Sequence, residues 1–128
     1  MVSTLLEAAR RDAVVFFKLV DDVEVHDSML GFHAQQAIEK ALKAVLSRHG
    51  VLVPRTHRID QLLDVFQDGA LPLPPHAQNL DEFNPYAVQA RYGALDTGPL
   101  DRLLAAEWLK DVMDWAQAAA GQHGASDA

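Results

Sequence analysis

The strongest constraint on this chain is a helical period. Apolar residues return at i, i+3 and i+4 through long stretches, and no stretch alternates with the period of two that a half-buried strand requires. Over residues 3–20 the stripe is Leu6, Ala9, Ala13, Phe16, Phe17 and Val20, with Thr4 and Glu7 at capping-box spacing. Residues 21–26 are polar and read as a loop. Asp27 or Ser28 then caps a second helix that runs to about His49. Its core stripe is Ala34, Ala37, Ile38, Ala41, Leu42, Val45 and Leu46, and Gly50 is a natural stop.

A connector at 51–55 leads to Thr56 as the N-cap of a short third helix carrying Ile59, Leu62, Leu63 and Phe66. Residues 69–75 are rich in breakers and form a turn. A short fourth helix is expected over 76–83, interrupted by Asn84-Pro85, with a helical turn resuming over 86–92. Thr97, Gly98 and Pro99 open a long last helix with Leu100, Leu103, Leu104, Trp108, Val112, Trp115 and Ala119 along its inner face. At 128 residues there is room for one core. The expectation is an all-α fold, an antiparallel bundle of four to five helices over residues 1–120, with 121–128 a frayed tail.

The chain has no cysteine, which removes disulfides and thiolate metal sites and suits a reducing, cytoplasmic setting. The first residues meet a charge at Glu7, too early for a signal peptide, and no run approaches the roughly 18 apolar residues a membrane helix needs. The net charge is −7. Non-specific nucleic-acid binding draws on many cations neutralising phosphates, so general nucleic-acid binding is excluded, while a local basic patch suffices for one nucleotide.

Residues 32–46, Phe-His-Ala-Gln-Gln-Ala-Ile-Glu-Lys-Ala-Leu-Lys-Ala-Val-Leu, closely resemble the signature second helix of the HEPN family. Thr56-His57-Arg58-Ile59-Asp60-Gln61-Leu62-Leu63 is similar to that family's opening of the third helix, and Ala90-Arg91-Tyr92 to its Arg-Tyr-Pro segment, with Gly93 in place of proline. Order and separation also match, over about residues 4 to 118. The resemblance implies a helical bundle, often a homodimer, in the branch associated with minimal nucleotidyltransferases. It implies a nucleotide- or substrate-binding module acting with a separately encoded nucleotidyltransferase, within a pair like those of toxin–antitoxin systems. The family's ribonuclease branch carries Arg, four to six residues, then His. No arginine here is followed by a histidine at that spacing, so no catalytic residue is assigned and no stand-alone activity is expected.

Six positions are the candidate ligand-binding residues. Gln36, Lys40 and Lys43 share one helical stripe and can face a phosphate or a partner carboxylate; the plain alternative is an i, i+4 surface pair of Glu39 with Lys43. His57, expected in the first turn of helix three, adds a donor at a helix N-terminus or only fixes the connector. Arg91 grips a phosphate and Tyr92 stacks on a base, or Arg91 pairs with Asp81 or Glu82 and Tyr92 closes the bundle. The six histidines lack metal-ligand spacing, so no metal or other cofactor is expected. Trp108 and Trp115 read as core or dimer-interface anchors. Two rival functions stand beside the binding module. One is a metal-independent endoribonuclease using His57 with Arg91, and the other is a purely structural oligomerisation protein.

Overall fold

The structure is a computed structural model and describes residues 1–87 and 99–121. It is all-α. Helix α1 spans Val2–Leu19, α2 Asp27–Arg48, α3 Ile59–Asp68, and α4 Arg102–Ala120, with a 3₁₀ turn at Leu80–Phe83 continuing helically over 84–87. Helix α2 is the centre, and α1, α3, α4 and the 3₁₀ turn all pack on it. Helices α1 and α4 also touch each other and run antiparallel. Arg10 midway along α1 bonds Gln117 near the end of α4, while Arg102 at the start of α4 bonds the Val20 carbonyl just beyond α1.

The α2 stripe expected from sequence is buried throughout, and Leu30 and Ala44 join it. Its end is a Schellman turn: Val51 N–H donates to the Leu46 carbonyl and Gly50 N–H to Ser47, each at 3.0 Å, with Gly50 at φ 74. Small residues dominate where helices approach closely, so α2 buries Ala34, Ala37, Ala41 and Ala44 and α4 buries Ala105, Ala116 and Ala120.

That alanine seam shifts the expected inner face of the last helix, of which only Val112 is fully buried. Ala105, Leu109, Val112, Ala116 and Ala120 face inward, whereas Leu103 is 86% exposed and Leu104 lies at the surface. Leu100, Trp108, Trp115 and Ala119 are only partly buried, against the flank of the core. Reading the stripe from the largest apolar side chains rotated the helix, because a close helix–helix approach selects small ones. Of the two phenylalanines expected in the α1 stripe, Phe16 is fully buried and Phe17 is exposed.

Helix starts also differ from the sequence expectation. Helix α1 begins at Val2 with no side-chain cap, so Thr4 lies inside the helix and Glu7 pairs with Arg10 and Arg11 instead. Helix α2 is capped by His26, whose Nδ1 accepts from the Ser28 N–H at 3.0 Å, rather than by Asp27 or Ser28. Helix α3 starts at Ile59, not after Thr56. Its first N–H donates to Asn84 Oδ1 at 2.8 Å, and Asn84 Nδ2 donates to Asp60 Oδ1 at 2.8 Å. A residue 25 positions away thus performs the cap, while Thr56 Oγ1 accepts from Arg58 N–H in a turn before the helix. Residues 76–79 form a turn rather than a helix, and Asn84-Pro85 starts the helical turn instead of breaking it, because Pro85 falls in the first turn, where its missing N–H is not needed. Asp101 caps α4 by accepting from Leu104 N–H at 3.0 Å; Thr97 and Gly98, expected to open that helix, and most of 86–92 lie outside the described residues.

One clasp fixes the bundle's end. The Arg102 guanidinium donates to Asp27 Oδ1 (2.9 Å) and to the carbonyls of Val20 (2.9 Å), Asp22 (3.0 Å) and Val25 (2.6 Å). Asp27 Oδ2 accepts the Leu100 N–H at 2.9 Å. The Leu100 N–H bond and then Arg102 hold the Asp27 carboxyl below the usual carboxylate range, against the opposing effect of burial.

Candidate functional site

Residues 33, 36, 40 and 43 advance along α2 by three or four and so form one strip on its surface. Two largely buried carboxylates border that strip, and each fixes one lysine and one histidine. On the α1 side, Asp12 Oδ2 accepts from Lys40 Nζ at 2.6 Å and Asp12 Oδ1 from His33 Nδ1 at 3.0 Å. On the other side, Glu39 Oε2 accepts from Lys43 Nζ at 2.9 Å, and both its oxygens lie 3.2 Å from His57 Nδ1.

The Glu39 hub reaches further into the protein. Gln35, fully buried, donates from Nε2 to Glu39 Oε1 and to the His57 carbonyl, each at 3.0 Å, and its Oε1 accepts from Gln36 Nε2 at 2.6 Å. The Glu39 side chain is 5% exposed and Lys43 14%, while His57 stands 68% exposed above them. Burying a carboxylate is costly unless its lone pairs are filled. Four contacts from three residues fill those of Glu39, and the result is a rigid base beneath an accessible imidazole.

Both histidines are engaged through Nδ1, which leaves Nε2 as the atom able to meet a ligand. Neither lysine is an uncompensated charge. Counting Lys40, Lys43, Asp12 and Glu39, the strip is electrically neutral, so it can orient a small polar molecule by directed hydrogen bonds but exerts little pull on a polyanion. Among the described residues no group of three or more His, Cys, Asp or Glu side chains is placed to hold a metal ion.

The structure therefore brings together four of the six residues singled out from sequence: Gln36, Lys40, Lys43 and His57. The Glu39–Lys43 pair forms, but buried rather than on the surface. His57 precedes α3 by two residues and is held by Glu39 and Gln35, not by the helix N-terminus, whose first N–H is taken by Asn84. Arg91 and Tyr92 lie outside the described residues.

Asp12, His33 and Gln35 were not foreseen at this site, and Glu39 only as the partner of Lys43, yet they left a trace. Gln35, Glu39, Leu42 and Leu46 follow one another at i+4, i+3 and i+4, two polar residues continuing an apolar stripe into the core. Asp12 similarly flanks Ala9, Ala13 and Phe16.

A protein-family model described as HEPN domain matches residues 2–117. No curated protein and no solved structure matches the chain.

Proposed function

The chain belongs to the HEPN domain family, and from that premise we propose that it is a binding module rather than a stand-alone enzyme. It presents the α2 strip to a nucleotide or other small polar substrate in concert with a separately encoded nucleotidyltransferase, as one member of a pair and as a homodimer. The observation that supports this most is the Glu39 hub. A buried ion pair is a poor way to gain stability, since desolvation offsets most of its attraction. Its rigid geometry, repeated at Asp12, fits a surface built to hold His57, His33, Lys40 and Lys43 in register for a ligand. The local neutrality and the chain's net charge of −7 favour a single nucleotide over RNA.

The test is calorimetric titration of the purified chain with ATP and GTP, alone and with a minimal nucleotidyltransferase from the same genome, repeated for Lys40→Ala and His57→Ala. Binding that both substitutions weaken supports the reading. Absence of heat with either nucleotide, together with failure to co-purify with the transferase, sinks it. Arg91→Ala belongs in the same series, to decide whether the Arg91-Tyr92 segment shares the ligand. Sedimentation velocity on the same sample reports whether the chain is a dimer.

A further inference from the structure

A second concave feature lies away from the α2 strip. It is a cleft of about 380 Å³ between the 3₁₀ turn and the start of α4, within the range of small-molecule sites, roughly 300–1,000 Å³. Three aromatic side chains line it, Phe83, Tyr86 and Trp108. The Phe83 ring stands edge-on to Trp108 (6.2 Å between centroids, 83°) and 6.4 Å from Tyr86. The array is fixed from behind: His76 packs on Trp108 with centroids 5.8 Å apart and rings tilted by 32°, and His76 Nε2 is 2.7 Å from Asp111 Oδ2. His76 itself is held at φ 62, a conformation a non-glycine residue keeps only when its surroundings demand it.

Tyr86 is the unusual member. It is 6% exposed, and its ring lies flat against Gly31 of α2, where any Cβ would overlap it. Gly31 is two residues from His33, which puts it on the opposite side of α2 from the strip. Among the described residues the Tyr86 hydroxyl has no hydrogen-bond partner, so Tyr86 lines the cleft with a hydroxyl that no described residue engages. Among the described residues, the charged ones lining the cleft are both acids, Glu82 and Asp101, and none is a lysine, arginine or histidine. Glu82 has no partner among the described residues, and Asp101 uses one oxygen to cap α4, leaving the other.

Aromatic faces attract cations through the ring quadrupole, carboxylates supply charge-assisted acceptors, and a phenol hydroxyl offers one more directed bond. We propose that this cleft is a binding site for a flat aromatic or heteroaromatic cation, an amidine- or amine-bearing ring that slides beside Trp108 and directs its N–H groups at Glu82 and Asp101. An anionic ring of the same shape is rejected by the same two carboxylates.

The probe is benzamidine, titrated calorimetrically at physiological salt into the full chain, with benzoate as the anion of matching shape and benzamide as the neutral one. Benzamidine is expected to bind about tenfold or more tighter than benzoate, as loss of one charge-assisted hydrogen bond alone implies. The double variant Glu82→Gln/Asp101→Asn keeps shape and retains a good helix cap, and is expected to weaken benzamidine without altering benzamide. Asp64→Asn/Asp68→Asn removes two exposed charges from α3 and must leave benzamidine binding unchanged, or the attraction is only that of an acidic protein. Tyr86→Phe is expected to weaken benzamidine while leaving the melting temperature of the unliganded protein equal or higher, because no hydrogen bond to a described residue is lost. Equal affinity for benzoate, unaltered binding in the Glu82/Asp101 variant, or a Tyr86→Phe protein that melts lower without ligand overturns the proposal.

Discussion

Replacing Glu39 with glutamine keeps the shape of the hub and removes its charge. Lys43, 14% exposed and 2.9 Å from Glu39, is then left without its counter-ion, and of the two oxygens that face His57 only one remains an acceptor. At that separation the gross attraction is on the order of 6 kcal/mol for an effective dielectric of about 20. Desolvation has already taken several kcal/mol per ion from it, so the pair itself contributes little net stability. Breaking one side is another matter, because the orphaned ammonium keeps its desolvation cost. The expected loss for Glu39→Gln is about 3 kcal/mol, the low end for a broken buried pair, since the long lysine chain can partly reach water. Taking an urea m-value of about 2 kcal/mol per molar, the unfolding midpoint falls by roughly 1.5 M. Adding Lys43→Met removes the orphaned charge and keeps its volume, so the double variant should recover most of that loss, to within about 1 kcal/mol of the parent. Urea unfolding of the four proteins, followed by far-UV circular dichroism, gives the cycle directly. If the double variant loses the sum of the two single losses, the residues act independently and the hub reading is wrong.

The remaining predictions concern the scaffold. Arg102→Ala removes four hydrogen bonds that join α4 to the 20–27 segment and should cost about 2–4 kcal/mol, measured by the same unfolding assay. Because the Asp27 carboxyl titrates below its unfolded value, its stabilisation is complete above about pH 4 and fades as pH falls through the lower folded value. The stability gap between the parent and Asp27→Asn should therefore narrow on acidification, and a gap that widens would contradict the sign. Asn84→Ala strips the borrowed cap from α3 and should cost about 1 kcal/mol, with faster hydrogen exchange at the Ile59 amide as its local signature. Gly31→Ala drives a methyl group into the Tyr86 ring and should cost about 1–3 kcal/mol, visible as a lower melting temperature.

Much of the bundle was legible before any coordinates. The α2 stripe is buried residue for residue, the stop at Gly50 is where glycine's left-handed conformation is used, and Ile59, Leu62, Leu63 and Phe66 form the inner face of α3. The candidate site was only half legible. Gln36, Lys40 and Lys43 announce themselves by spacing on one helix, but spacing within α2 is silent about Asp12, which arrives from α1, and about which carboxylate each lysine meets.

What the sequence determined by itself is local: period, propensity and punctuation select helices and the positions of most of their ends, because those depend on neighbours within four residues. Four matters were decided only by tertiary structure: the rotation of α4 onto its alanine seam, the capping of α3 by Asn84, the clasp of Arg102 on Asp27, and the burial of Glu39 beneath His57. Each is settled by which groups meet across the core, where close packing rewards small side chains and a low dielectric demands a partner for every buried charge.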